Sequence, residues 1–171
     1  MIVRGQDKIE KCDVSFFSNL FNASGENIIL DQLRVIKLFP CFFYELARRE
    51  VFVAATLKEI LDVLKNFAKD KSPGPDGWTG EFFIHFFDLL EAEILDVVEE
   101  SRVSGSICGG LNATFIALIA KLEKPLTFYD YHPISLCNLL YKLITKIIAN
   151  RMKPVLSTSL SLNQFGFLAN R

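Results

Sequence analysis

Lys142, Lys146 and Lys153 stand four and seven residues apart. On a helix that spacing lines ammonium groups along one side, where they can meet successive phosphates of a polyanion. After Asp130 there is no acidic residue, while Lys142, Lys146, Arg151, Lys153 and Arg171 follow. The stretch beyond Asp130 therefore carries +5, and because the whole chain carries -1, the part up to Asp130 carries -6. A basic end on an acidic body suits a polyanionic partner, although a solvated helix face accounts for the same charges.

A second chemical signal is the run Lys71-Ser72-Pro73-Gly74-Pro75-Asp76-Gly77. Two prolines fix φ and two glycines permit positive φ, so this is a rigid, shaped loop rather than helix or strand. Asp76 is expected here as a turn-former. Trp78, just after it, is expected to pack beneath the loop.

Other chemistries find little support. Cys12, Cys41, Cys108 and Cys137 form no CxxC pair, and His85 and His132 lie at no zinc spacing from them. Buried, reduced thiols in an intracellular protein, nuclear or cytoplasmic, are expected. His85 reads as a helix-flank residue. The adjacent acids Glu99 and Glu100 are expected on an exposed helix face, pointing apart. No nucleophile motif accompanies the histidines, and no catalytic residue or metal ligand is assigned. No apolar run reaches the roughly 18 residues that cross a bilayer, and Met1–Gly5 opens no signal peptide. No membrane partner is expected.

The elements follow from periodicity. Hydrophobic residues make up 50% of the chain, with 16 phenylalanines, enough for a core. Residues 1–30 show no sustained period, and 22–27 read as a turn. Leu38–Tyr44 is a dense apolar patch interrupted by Pro40. Thr56 and Glu59 fit a capping box, followed by Leu57, Ile60, Leu61, Leu64, Phe67 and Ala68 on one stripe. Thr79 caps a second helix that buries Phe83, Phe86, Phe87, Leu90, Ile94 and Val97, and Gly105, Gly109 and Gly110 end it. Phe115–Ala120 and Pro133–Leu136 read as a strand pair whose connection Asp130 anchors. Leu140, Leu143, Ile144, Ile147 and Ile148 point inward from a last helix. The spacing predicts helices near 56–69, 80–102 and 138–153. The fold class is α+β, helix-dominated, with a small antiparallel hairpin.

In order along the chain come Lys71–Gly77, Ala117-Leu118-Ile119-Ala120-Lys121, Asp130–Asn138, Tyr141-Lys142 and Gln164-Phe165-Gly166-Phe167. Together they resemble the reverse transcriptases of plant LINE-type non-LTR retrotransposons, over roughly residues 50 to 171. The resemblance implies a truncated right-hand polymerase, its fingers region and entry to the palm, with residues 1–49 as a connector-like segment. It makes the proline-glycine loop part of a template-binding surface, with Lys71 and Gly74 as candidate nucleic-acid contacts. It places Lys121 where a basic residue holds the incoming nucleotide's phosphates, and His132 where the family has the arginine of an Arg-Pro-Ile-Ser motif. The family's Leu-Ile-Pro-Lys stands here as Leu118-Ile119-Ala120-Lys121.

Arginine gives phosphate a permanently charged fork and histidine does not, so deoxynucleoside triphosphate binding should be weak. Gln164–Phe167 would be structural, and Phe165 and Phe167 would lie on an apolar surface that normally meets the palm. Self-association and low solubility are therefore expected.

Family enzymes transfer nucleotides with two Mg²⁺ ions held by palm aspartates. The chain contains no Asp-Asp pair. No cofactor is assigned to it, and it is expected to be inactive alone, with RNA or an RNA/DNA template as candidate partner. The alternative is a non-catalytic nucleic-acid-binding module or a host-adopted protein-interaction module.

Overall fold

The computed structural model describes residues 6–22, 49–68 and 71–159. The elements are α1 (Gln6–Asn22), α2 (Leu57–Lys65), α3 (Gly80–His85), α4 (Phe87–Ser104), β1 (Thr114–Ala120), a 3₁₀ turn (Phe128–Asp130), β2 (Tyr131–Cys137) and α5 (Leu139–Ser159). This is the expected α+β composition, dominated by helices, with one antiparallel strand pair. The chain divides into two compact units, one of residues 1–40 and 118–133, the other of residues 41–117 and 134–171.

The larger unit packs α2 against α3, α4 and α5. Ile60, Leu64 and Leu143 are fully buried at its centre, surrounded by Val63, Phe83, Phe87, Ile94, Val98, Ile144 and Ile147. The helices form because their apolar residues recur at three- and four-residue steps, so each buries one stripe. At the start of α2 the Thr56 hydroxyl accepts the Glu59 N–H at 3.2 Å. Only that half of the expected capping box forms, because the Glu59 carboxylate turns to Arg151 instead.

Thr79 caps α3 by accepting the Phe82 N–H at 3.4 Å. The expected single helix over 80–102 is two helices. Phe86 leaves helical geometry, with φ -102° and ψ 19°, and serves as the end of α3 and the start of α4. Phe83 and Phe87 are buried across this break, while Phe86 remains exposed, contrary to its expected inward place. Gly105 then ends α4 at φ 67°, a left-handed position that favours glycine.

The last helix runs past its expected end. Pro154 sits inside α5, where it supplies no N–H, yet the helix continues to Ser159. Its buried residues are Leu139, Leu143, Ile144 and Ile147, whereas Ile148, expected inward, is exposed. The strands in this unit close with the Thr114 hydroxyl 3.4 Å from the Cys137 sulfur. Cys137 is half-buried and Cys108 exposed, so the expectation of uniformly buried thiols fails at Cys108.

The smaller unit holds α1 and the outer part of the hairpin. A helix over Gln6–Asn22 was not legible from periodicity. It forms around Phe17, which is buried, and Phe16, whose ring lies 5.3 Å from Phe128 and edge-on to Tyr129 at 4.8 Å. Adjacent aromatics do not make a three- or four-residue repeat, which hid the buried side. Asp130 anchors the connection as expected, because its Oδ2 accepts the Leu126 and Thr127 N–H groups at 3.0 and 2.8 Å. Those N–H bonds, joined by the Thr127 hydroxyl, hold its carboxyl below the usual carboxylate range. The Lys121 N–H donates to the Asp130 carbonyl at 2.8 Å and closes the hairpin.

The segments 22–27, apart from Asn22, and 38–44, together with Gln164–Phe167, lie outside the described residues.

Candidate nucleic-acid interface

The proline-glycine loop keeps its shape through one residue at the start of α5. Asn138 is buried, at 3% exposure, between β2 and α5. Its Oδ1 accepts the Asp76 N–H at 3.1 Å, and its Nδ2 donates to the Gly110 carbonyl at 3.0 Å. Its backbone carbonyl accepts the Lys142 N–H at 3.2 Å, which starts the helical ladder. One amide side chain thus ties the loop to the segment leading into β1.

The loop also has its own bonds. The Gly77 N–H donates to the Gly74 carbonyl at 3.1 Å, and Gly77 adopts φ 76°. Asp76 Oδ1 accepts the Trp78 N–H at 3.1 Å, the turn-forming role expected for this aspartate. Gly74 is buried against Asn138 and Cys137, and a Cβ on it would stand 2.6 Å or less from both. Its absent side chain is thus accounted for by close packing of loop on strand end.

This clamp brings Lys71 and Lys142 to one groove of about 480 Å³. Phe67, Trp78, Ser135 and Leu139 also line it. Lys71 is exposed and Lys142 half-buried, and neither forms an ion pair among the described residues. The expectation that Trp78 packs beneath the loop is corrected. It is 48% exposed and lies on Phe82, ring centroids 4.1 Å apart and planes 28° apart. Phe82 in α3 offers a flat ring to the residue just before the helix, and the indole stacks on it.

The remaining candidate lysines do not join this groove. Lys146, one turn beyond Lys142, and Lys153, two turns further, are exposed on α5. Lys121 and His132 belong to the other unit, and both are exposed. The Lys121 ammonium donates to the Tyr129 carbonyl at 2.9 Å. His85 is exposed on the flank of α3, as expected.

Arg151, counted among the basic residues of the chain's end, is engaged in the fold. Its Nε and Nη2 donate to the two Glu59 carboxylate oxygens at 2.7 and 2.5 Å. It also donates to the Val51, Val53 and Ala54 carbonyls at 3.2, 2.5 and 3.3 Å. Glu99 is likewise not a free surface acid: it accepts the Ala55 N–H at 2.7 Å and pairs with Arg102 at 2.6 Å. That corrects its expected exposed face. The Arg102 hydrogen bond holds the Glu99 carboxyl below the usual range, against the effect of partial burial, and the Ala55 N–H assists. Residues 51–55 are thereby gripped by two arginine–glutamate pairs beside an apolar cavity of about 660 Å³. Sequence reasoning named Arg151 only among the basic residues, Glu99 only as an exposed acid and Asn138 only as the end of a motif, and it missed the structural role of all three.

No family model matches the chain. It is similar to the uncharacterized 149 kDa protein of transposon TX1 from Xenopus laevis, with 29% identity over 143 residues. The match covers 84% of this chain and 11% of that protein. The chain thus spans about a tenth of the length of the curated relative it matches. That likeness supports a transposon-related origin for the chain.

Proposed function

We propose that the chain is the fingers region of a plant LINE-type retrotransposon reverse transcriptase and that its groove grips an RNA template. The observation that carries this reading is the meeting of Lys71 and Lys142, 71 residues apart in sequence, on one groove beside the loop that Asn138 holds. Two ammonium groups that form no ion pair among the described residues, beside an aromatic surface, suit the phosphates and bases of a strand. The ordered motifs and the similarity to a transposon protein support the same reading.

In this account the segment binds and orients a template, and bond-making belongs to carboxylates elsewhere in the intact enzyme. Among the described residues no group of three His, Cys, Asp or Glu side chains could hold a metal ion. No step through Mg²⁺ is therefore assigned to them. Lys121 remains the candidate contact to an incoming triphosphate, and His132, without a permanent charge, a weaker one. The alternative, a non-catalytic nucleic-acid-binding module, uses the same groove and predicts the same binding without any polymerase context.

The test is fluorescence anisotropy of a labelled single-stranded RNA over a salt series. Binding that weakens as salt rises, and falls further in Lys71→Glu and Lys142→Glu, supports the reading. Binding indifferent to both lysines, or none at low salt, overturns it.

A further inference from the structure

We infer that Trp78 is a base-stacking platform, so that the groove takes single-stranded nucleic acid and rejects duplex. This rests on the reading of the groove as a nucleic-acid site and adds which side chain meets the bases. Trp78 is a large apolar residue left 48% exposed, directly beside two lysines. One indole face is covered by Phe82 at 4.1 Å, so the exposure belongs to the other face and the ring edge. A ring already supported from below is rigid, and a base stacking on it costs little further ordering.

Its backbone is fixed as well. The Trp78 N–H is held by Asp76, whose own N–H is held by Asn138. The platform is thus tied to Asn138, the residue whose backbone carbonyl accepts the Lys142 N–H. Lys71 and Lys142 line the same groove and supply charge for the phosphates flanking a stacked base. Stacking tolerates any base because every base has a π-face, so little sequence preference is expected. A duplex keeps its bases stacked inside the helix and offers Trp78 no free face.

Trp78 is the single tryptophan of the chain, so tryptophan emission reports on this site alone. The experiment pairs that emission with anisotropy of a labelled oligouridylate of about 12 nucleotides, within the site sizes of single-strand binders. An abasic oligomer and a duplex of equal length serve as comparisons. The oligouridylate should quench the emission with the midpoint that anisotropy gives, while the abasic oligomer binds with little quenching. Trp78→Ala should weaken oligouridylate binding about 5- to 150-fold, the range one base–aromatic stack is worth, and Trp78→Phe should fall between.

Circular dichroism on both variants confirms that they fold, and quenching in the unaltered chain does not depend on them. If the oligouridylate binds without changing the emission, or Trp78→Ala binds within about twofold, stacking is wrong and the lysine groove stands. Equal quenching by the duplex overturns the single-strand preference. If no probe binds, both the stacking and the reading it rests on fall.

Discussion

A Cβ built on Gly74 would stand 2.4 Å from both the backbone nitrogen and the side-chain oxygen of Asn138. No other side chain fits there without displacing the strand end from the loop. Gly74→Ala should therefore lower stability by about 1–3 kcal/mol, the usual cost of overpacking. The midpoint of urea unfolding reads it. An unchanged midpoint would mean that the loop is not seated on Asn138.

Asn138 itself bridges two backbone groups from a site at 3% exposure. Asn138→Ala removes the bonds to the Asp76 N–H and the Gly110 carbonyl, and should cost about 1–3 kcal/mol. Because the loop carries Lys71, the same change should weaken RNA binding without removing any charge. Anisotropy under conditions where the variant stays folded distinguishes the two effects. Full affinity in the folded variant would show that the clamp does not shape the groove.

Much of this architecture was legible before the structure. The stripe Ile60, Leu64 and the cluster Leu143, Ile144, Ile147 announced themselves by helical spacing, and their burial follows from it. Thr79 and Asp130 were readable because capping and turn anchoring are local, within a few residues of the group they bind. What stayed hidden depends on distant pairing. Glu59 and Arg151 are 92 residues apart, so Glu59 read as half of a capping box and Arg151 as one more basic residue. Trp78 misled because its partner Phe82 covers only one face. The groove lysines were named in advance, yet only the fold joins Lys71 to Lys142 and leaves Lys146 and Lys153 apart.

The Glu59–Arg151 pair should prove more valuable than an ordinary surface pair, since the two side chains are only 27% and 12% exposed. Arg151→Met removes the pair and the bonds to three carbonyls, and should destabilise by about 2–3 kcal/mol. A double-mutant cycle with Glu59→Gln should return a coupling of roughly 1–2 kcal/mol. A coupling near zero would place the two side chains apart in solution.

Acid should loosen the grip on residues 51–55. The Glu99 carboxyl is held low chiefly by Arg102, so the folded chain binds its proton less readily than the unfolded chain. Its stabilisation is present above the unfolded glutamate value, about 4.3. It is lost as pH falls through the lowered folded value. Glu99→Gln should be less stable than the unaltered chain at neutral pH, and the gap should close as acid protonates the folded carboxyl, below the unfolded glutamate value. Thermal midpoints across that range check it. A gap that widens in acid would contradict the assignment.

The most direct test of the template-binding account is the salt dependence of single-stranded RNA binding, measured for the unaltered chain and for Lys71→Gln with Lys142→Gln together. Each phosphate neutralised contributes about 0.7 to the slope of log K against log salt for a single strand. Removing both ammonium groups should shallow that slope by about 1.4 and weaken binding at every salt concentration. A slope unchanged by the double substitution would mean that this groove does not hold the strand.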